Sequence, residues 1–129
     1  MADTPTDLWY TKDHEWVRID GTVARVGVTA HAAEVIGDVV YVSLPGVGGS
    51  VAAGDACAEL ESTKSVNDVY APVAGVIKAV NEAVEDAPET INSDPYGDGW
   101  LFEVEMPGTD LATDLLDAAD YETMLASDG

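Results

Sequence analysis

Short runs of alternating apolar and polar side chains, each cut off by Gly, Pro, Asp or Asn, recur along this chain. That rhythm restricts it to a fold of many short strands. Trp16-Val17-Arg18-Ile19 alternates, Asp20-Gly21 turns the chain, and Thr22 to Val28 runs back as the second half of a hairpin. Val39 to Leu44 is the next strand, and Pro45-Gly46-Val47-Gly48-Gly49 is a loop that no regular element would tolerate. Ala56 to Glu61 and Val66 to Tyr70 form a second hairpin, with Ala56, Ala58 and Leu60 on one face of its first strand and Cys57, Glu59 and Glu61 on the other. Ala71-Pro72-Val73-Ala74-Gly75 bends into Val76 to Val80, and Gly99 to Met106 is the closing strand. Between them, Asn81 to Asp94 reads as loop with a helical turn. Helical signals are few. Thr29 is placed to cap a short helix over 30–36, with Gly37 as its stop. Leu111, Leu115, Ala118 and Met124 recur at near-helical spacing, which predicts a C-terminal helix near 109–126, capped by Thr109 and packed outside the sheet. Gly21-Thr22-Val23 and Gly75-Val76-Ile77 hint faintly at an internal duplication. The whole pattern favours an all-β sandwich or barrel over a parallel α/β sheet.

At 129 residues the chain has room for one core, so residues 1–8 are expected to be an acidic tail and 9–129 a single domain. Charge is the anomaly: 5 basic against 25 acidic side chains, a net charge of −20. Such a surface repels phosphate backbones and anionic lipids, which argues against nucleic-acid or membrane-surface binding. Its self-repulsion is relieved by salt, and the acidic residues of the second half are dispersed, not gathered in one block. Both points fit a solvated surface adapted to a salty cytosol. Cys57 is the only cysteine, so neither an internal disulfide nor a C-x-x-C motif exists. The N-terminal residues lack the basic start and apolar run of a signal peptide, and no apolar stretch is long enough to span a membrane, so a cytoplasmic location is expected. His14 and His31 have no clustered acidic partner and define no metal site; Asp94 and Asp98 read as turn residues, since the order of a calcium loop is missing. With no exposed apolar stripe demanding a partner, a monomer is expected.

Lys64 stands at the tip of the second hairpin, in Glu61-Ser62-Thr63-Lys64-Ser65. A lone amine on a rigid turn is easy for a modifying enzyme to reach. This segment, with Val69-Tyr70-Ala71-Pro72-Val73-Ala74-Gly75, resembles the attachment region of lipoyl domains. The likeness is not local. Tyr10 to Val17, Val26-Gly27-Val28-Thr29, Leu44-Pro45-Gly46-Val47-Gly48 and Ile91 to Trp100 all resemble the glycine cleavage system H protein family, in order and with that family's spacing. The acidity makes this chain look like a halophilic version.

The resemblance implies a mainly β barrel-sandwich hybrid of the lipoyl-domain kind, with lipoate in amide linkage to Lys64. It implies a carrier and not an enzyme. The carrier would take an aminomethyl group from the pyridoxal-phosphate glycine decarboxylase and present it to the tetrahydrofolate-dependent aminomethyltransferase. Dihydrolipoyl dehydrogenase would reoxidise the arm, and a lipoate ligase or lipoyltransferase would install it. Within the family, the acidic residue of the His-Glu-Trp segment and the aspartate after the hairpin help hold the arm in a surface cleft; here these are Glu15 and Asp68. Asp13 departs from the serine often found before His-Glu. A lipoate relay serving other complexes is an alternative. So is a biotin carrier, although Thr63 and Ser65 stand where methionines usually flank the biotinyl lysine. A small hydrolase built on Cys57 and a histidine is the enzyme alternative.

Overall fold

The computed structural model describes residues 5–108 and 115–128. Among the described residues nine strands form two sheets. The larger is built from β1 (Trp9–Tyr10), β2 (Glu15–Asp20), β3 (Val23–Val28), β9 (Phe102–Glu105), β8 (Gly75–Val80) and β5 (Ser50–Val51), in that spatial order. The smaller contains β4 (Val39–Ser43), β6 (Ala56–Ser62) and β7 (Val66–Tyr70), with β6 in the middle. Every pairing is antiparallel. The inner faces share one core, in which Val17, Val26, Ile77 and Val104 of the larger sheet meet Val42, Leu60 and Val69 of the smaller. This mainly β, two-sheet architecture is the expected lipoyl-domain-like one, and it is open, not a closed barrel.

Asp20 pairs with Val23 across a two-residue turn whose Gly21 has φ 63°, the left-handed conformation that tight hairpins require. Helix α1 (Ala30–Ile36) begins where Thr29 Oγ1 accepts the Ala32 amide at 3.2 Å and ends where the Gly37 amide reaches Ala33 O. The 81–94 segment holds two single turns of helix, α2 (Ala83–Asp86) and α3 (Thr90–Ser93). The closing strand is shorter than expected: residues 99–101 are not paired as strand, although the Leu101 amide still reaches Val26 O at 2.8 Å. A register shift at Cys57 breaks the alternation of β6, so Ala56 is exposed while Ala58 and Leu60 are buried.

The C-terminal helix α4 (Ala118–Asp128) starts later than its apolar spacing predicts. Thr109 and Leu111 lie outside the described residues. Leu115 precedes the helix because its neighbour Leu116 exchanges both backbone hydrogen bonds with Tyr10, each at 2.7 Å, as an extended bridge. Those groups cannot also serve a helix. Asp117 is the actual cap, its Oδ1 accepting the Asp120 amide at 2.8 Å. The helix then lays Ala118 and Tyr121 into a second apolar cluster with Leu8, Tyr10 and Trp16 on the outer side of the larger sheet. Tyr121 stacks on Tyr10 with ring centroids 4.7 Å apart. No helix among the described residues is long and apolar enough to cross a membrane.

Candidate functional site

Lys64 lies in the three-residue connection between β6 and β7, exposed, on a turn that Ser62 braces. Ser62 Oγ accepts the amides of Lys64 at 3.2 Å and Ser65 at 3.0 Å, while the Ser62 amide donates to Ser65 O at 2.8 Å. Serine hydroxyls compete well for nearby backbone groups, which is why a serine before a turn sets its shape. The Asn67 side-chain amide adds a bond to Ser65 Oγ at 2.9 Å. From the far side, the Thr63 amide reaches Asp38 O at 3.3 Å and ties the tip to the loop that leads into β4.

That loop is where the lysine stem rests. Gly37 has φ 89°, and a Cβ built on it would come within 2.9 Å of Lys64 Cε, so the absent side chain leaves the channel in which the stem lies. Asn92 of α3 holds the loop in place. Its Nδ2 donates to Gly37 O at 2.8 Å and to Ala33 O at 3.3 Å, and its Oδ1 accepts the Val39 amide at 2.9 Å. Nothing in the sequence marks Asn92 for this task, because all its partners are more than fifty residues away. Among the described residues Lys64 makes no ion pair; Arg18, Arg25 and Lys78 are paired with Asp7, Glu103 and Glu105.

Beside the hairpin, between α1 and β7, a cleft of about 150 Å³ is lined by apolar Val28, Ala32 and Val69 and by polar Glu15, His31 and Asp68. Glu15 and Asp68, far apart in sequence, thus share one cleft. Glu15 is 2% exposed and bridges the two sheets: Oε1 accepts the Thr11 hydroxyl at 2.8 Å and Oε2 accepts the Tyr70 amide at 2.8 Å. Burial pushes its carboxyl up to about 7; the bonds from Tyr70 and Thr11 oppose that rise and the nearby Asp13 adds to it. Glu15 also lines a second cavity of about 180 Å³ with Thr11, Lys12, Tyr70 and Pro72. Asp13 lines both cavities, and its amide donates to Thr11 Oγ1 at 3.2 Å.

The histidines are more closely engaged than their isolation in the sequence suggests. His14 has φ 67°, an uncommon conformation for a residue with a side chain. Its ring lies 4.7 Å from that of His31, and its Nδ1 is 2.8 Å from Tyr121 Oη, which is also 2.8 Å from Thr29 Oγ1. Among the described residues no group of three or more His, Cys, Asp or Glu side chains could hold a metal ion. Asp94 serves a turn, its Oδ2 accepting the Asp98 amide at 2.8 Å. Burial pushes the Cys57 thiol up to about 12, with the Glu15 and Asp55 charges adding to the rise, and its Sγ faces Val69 O at 3.7 Å. A nucleophilic cysteine needs the opposite environment.

An exposed lysine on a braced hairpin, beside a part-apolar cleft in a two-sheet fold, defines a carrier domain of the lipoyl kind. The glycine cleavage H-protein model matches residues 8–128. The chain is 56% identical over 124 residues to the glycine cleavage system H protein of Beutenbergia cavernae, covering 96% of this chain and 98% of that one. It is 50% identical over 127 residues to the H protein of Salmonella arizonae, covering 97% and 98%. The crystal structure of a glycine cleavage system H protein from Mycobacterium marinum superposes with a TM-score of 0.87 at 45% identity, covering 95% of this chain and 98% of that one. The chain belongs to the glycine cleavage H-protein family, and its role is that of a lipoyl carrier in glycine cleavage.

Proposed function

We propose that Lys64 carries the lipoyl group and that the cleft containing Glu15 and Asp68 receives the end of the arm. The observation that carries this reading is the tip itself: an exposed amine on a turn shaped by Ser62 and tethered to Asp38. When bound, lipoate supplies a ring disulfide that accepts the aminomethyl group of glycine and later releases it. The protein's own residues hold, orient and shield. The lysine stem gives flexible reach. Val28, Ala32 and Val69 offer apolar contact for a hydrocarbon arm, and Asp68 and Glu15 offer carboxyl oxygens to a protonated amine. With a pKa near neutrality, Glu15 can present either a carboxylate or a neutral acid there.

In this reading the chain itself performs no bond chemistry. It serves in turn the pyridoxal-phosphate glycine decarboxylase, the tetrahydrofolate-dependent aminomethyltransferase and dihydrolipoyl dehydrogenase, after a lipoate ligase or lipoyltransferase has modified it. Its dispersed negative charge suits a high-salt interior.

Intact-mass measurement after incubation with lipoate, ATP and a ligase tests the attachment. One lipoyl mass is expected on the chain and none on Lys64→Arg; a gain that survives in K64R sinks the assignment. For the cleft, loaded Glu15→Gln should lose ammonia and formaldehyde faster than loaded wild type. An unchanged leakage rate would count against Glu15.

A further inference from the structure

The outer face of the smaller sheet carries an apolar patch that the carrier reading does not use. Opposed residues in an antiparallel pair share a face. Tyr41 lies opposite Glu61, and Glu61 lies opposite Val66, so these three form a row across β4, β6 and β7 within a few residues of Lys64. The pairing of β4 slips between Val39 and Tyr41, leaving Val40 as the extra residue of a bulge. Bulges re-aim side chains, and this one leaves Val40 and Tyr41 both exposed where regular alternation would have turned one of them inward. Val40, Tyr41 and Val66 are 56%, 54% and 59% exposed. Glu59 and Asp68 form the next opposed pair along the same face. The patch therefore sets Glu61 between apolar Tyr41 and Val66, with the Glu59–Asp68 pair in the next row and Lys64 at its end.

Reach decides which partner this surface fits. An enzyme that works on the far end of a loaded arm acts many ångströms from the hairpin and can dock elsewhere. An enzyme that acylates bare Lys64 has only the lysine stem to work with, so its active site must close over the tip. It must then touch whatever flanks the tip.

We propose that Val40, Tyr41 and Val66, with Glu61 set between the last two and Glu59 and Asp68 alongside, form the docking surface for the enzyme that acylates Lys64. This rests on the assignment of Lys64 as the attachment site. The partner's complementary face carries apolar contacts for Tyr41 and Val66 and lysines or arginines for Glu61, Glu59 and Asp68, because the charged side chains in these two rows are all carboxylates. In the step served, the neutral Lys64 amine attacks the acyl carbonyl of a lipoyl-adenylate mixed anhydride. A C–N amide bond forms, the C–O bond to phosphate breaks, AMP leaves with the electron pair, and the amine's surplus proton passes to a base of that enzyme or to water. No redox change occurs.

The test is the rate at which the apo chain gains one lipoyl mass from a lipoate ligase supplied with synthetic lipoyl-adenylate. For Val40→Ser/Val66→Ser and for Tyr41→Ser, the KM for the apo chain should rise about tenfold with kcat nearly unchanged, the size of effect expected for central contacts of an interface. The variants are then driven to full modification with excess ligase, and dihydrolipoyl dehydrogenase should reduce them with NADH at the wild-type rate. A KM within about twofold of wild type overturns the proposal. So does an equal loss in the dehydrogenase assay, which marks general damage in place of lost docking. If the unsubstituted chain gains no lipoyl mass at all, the attachment reading falls and this inference falls with it. A normal gain with unaltered KM removes the docking surface alone.

Discussion

Glu15 is the residue whose ionisation is coupled most directly to the architecture, because its two oxygens join the loop before β2 to the backbone of β7. Its carboxyl is raised from 4.5 to about 7, so the folded chain holds this proton more tightly than the unfolded chain does. The sign follows: stability from this group is fully present below pH about 4.5 and is lost as pH rises through about 7. A shift of that size corresponds to about 3 kcal/mol. Glu15→Gln removes the proton from the balance. Urea midpoints measured across that pH window should therefore fall less steeply for E15Q than for wild type, and parallel curves would show that burial does not perturb Glu15. Of the two acids the family resemblance marks, Glu15 is legible as a candidate cleft acid, but its burial is not. Nothing local in Asp13-His14-Glu15-Trp16 says that Tyr70 will meet it. The pairing of His14 with His31 is illegible for the same reason, since their tilted ring contact needs α1 and the residue just before β2 to be side by side.

At the scale of elements, the hairpins and α1 were readable because their signals are local: Asp20-Gly21 for one turn, Ser62 and Ser65 around another, Thr29 and Gly37 at the helix ends. What sequence could not supply were competitions settled at long range. Leu116 lies inside the segment whose Leu111, Leu115, Ala118 and Met124 spacing favours helix, yet bridging to Tyr10 takes its backbone groups. The bulges in β4 and β6 are equally silent in the sequence. Helix α3 matters because it delivers Asn92 to the loop under Lys64. Asn92→Ala would leave Gly37 O and the Val39 amide without this partner in a half-buried setting, costing about 2 kcal/mol. Chemical denaturation should show that loss, whereas Ser93→Ala, whose hydroxyl makes only a long exposed contact to Thr90 O, should change stability by less than about 0.5 kcal/mol.

For the whole molecule the dominant fact is charge. A net −20 on 129 residues is offset, among the described residues, by three ion pairs, two of them at 3.9 and 4.0 Å between exposed groups. Exposed pairs of that kind contribute little, so self-repulsion is left to the solvent. The melting temperature should climb as potassium chloride goes from dilute to molar; a protein equally stable in dilute buffer would not be adapted to salt. The same acidity gives the meeting of Lys64 and Gly37 a second meaning. The Lys64 stem lies beside Gly37, which closes α1 at its C-terminal end, the pole of a helix that attracts a cation. On the proposed assignment, acylation of Lys64 would erase its charge. Modification would therefore do more than extend the side chain: it would cast off a mooring, leaving an arm that had lain beside the helix end free to swing.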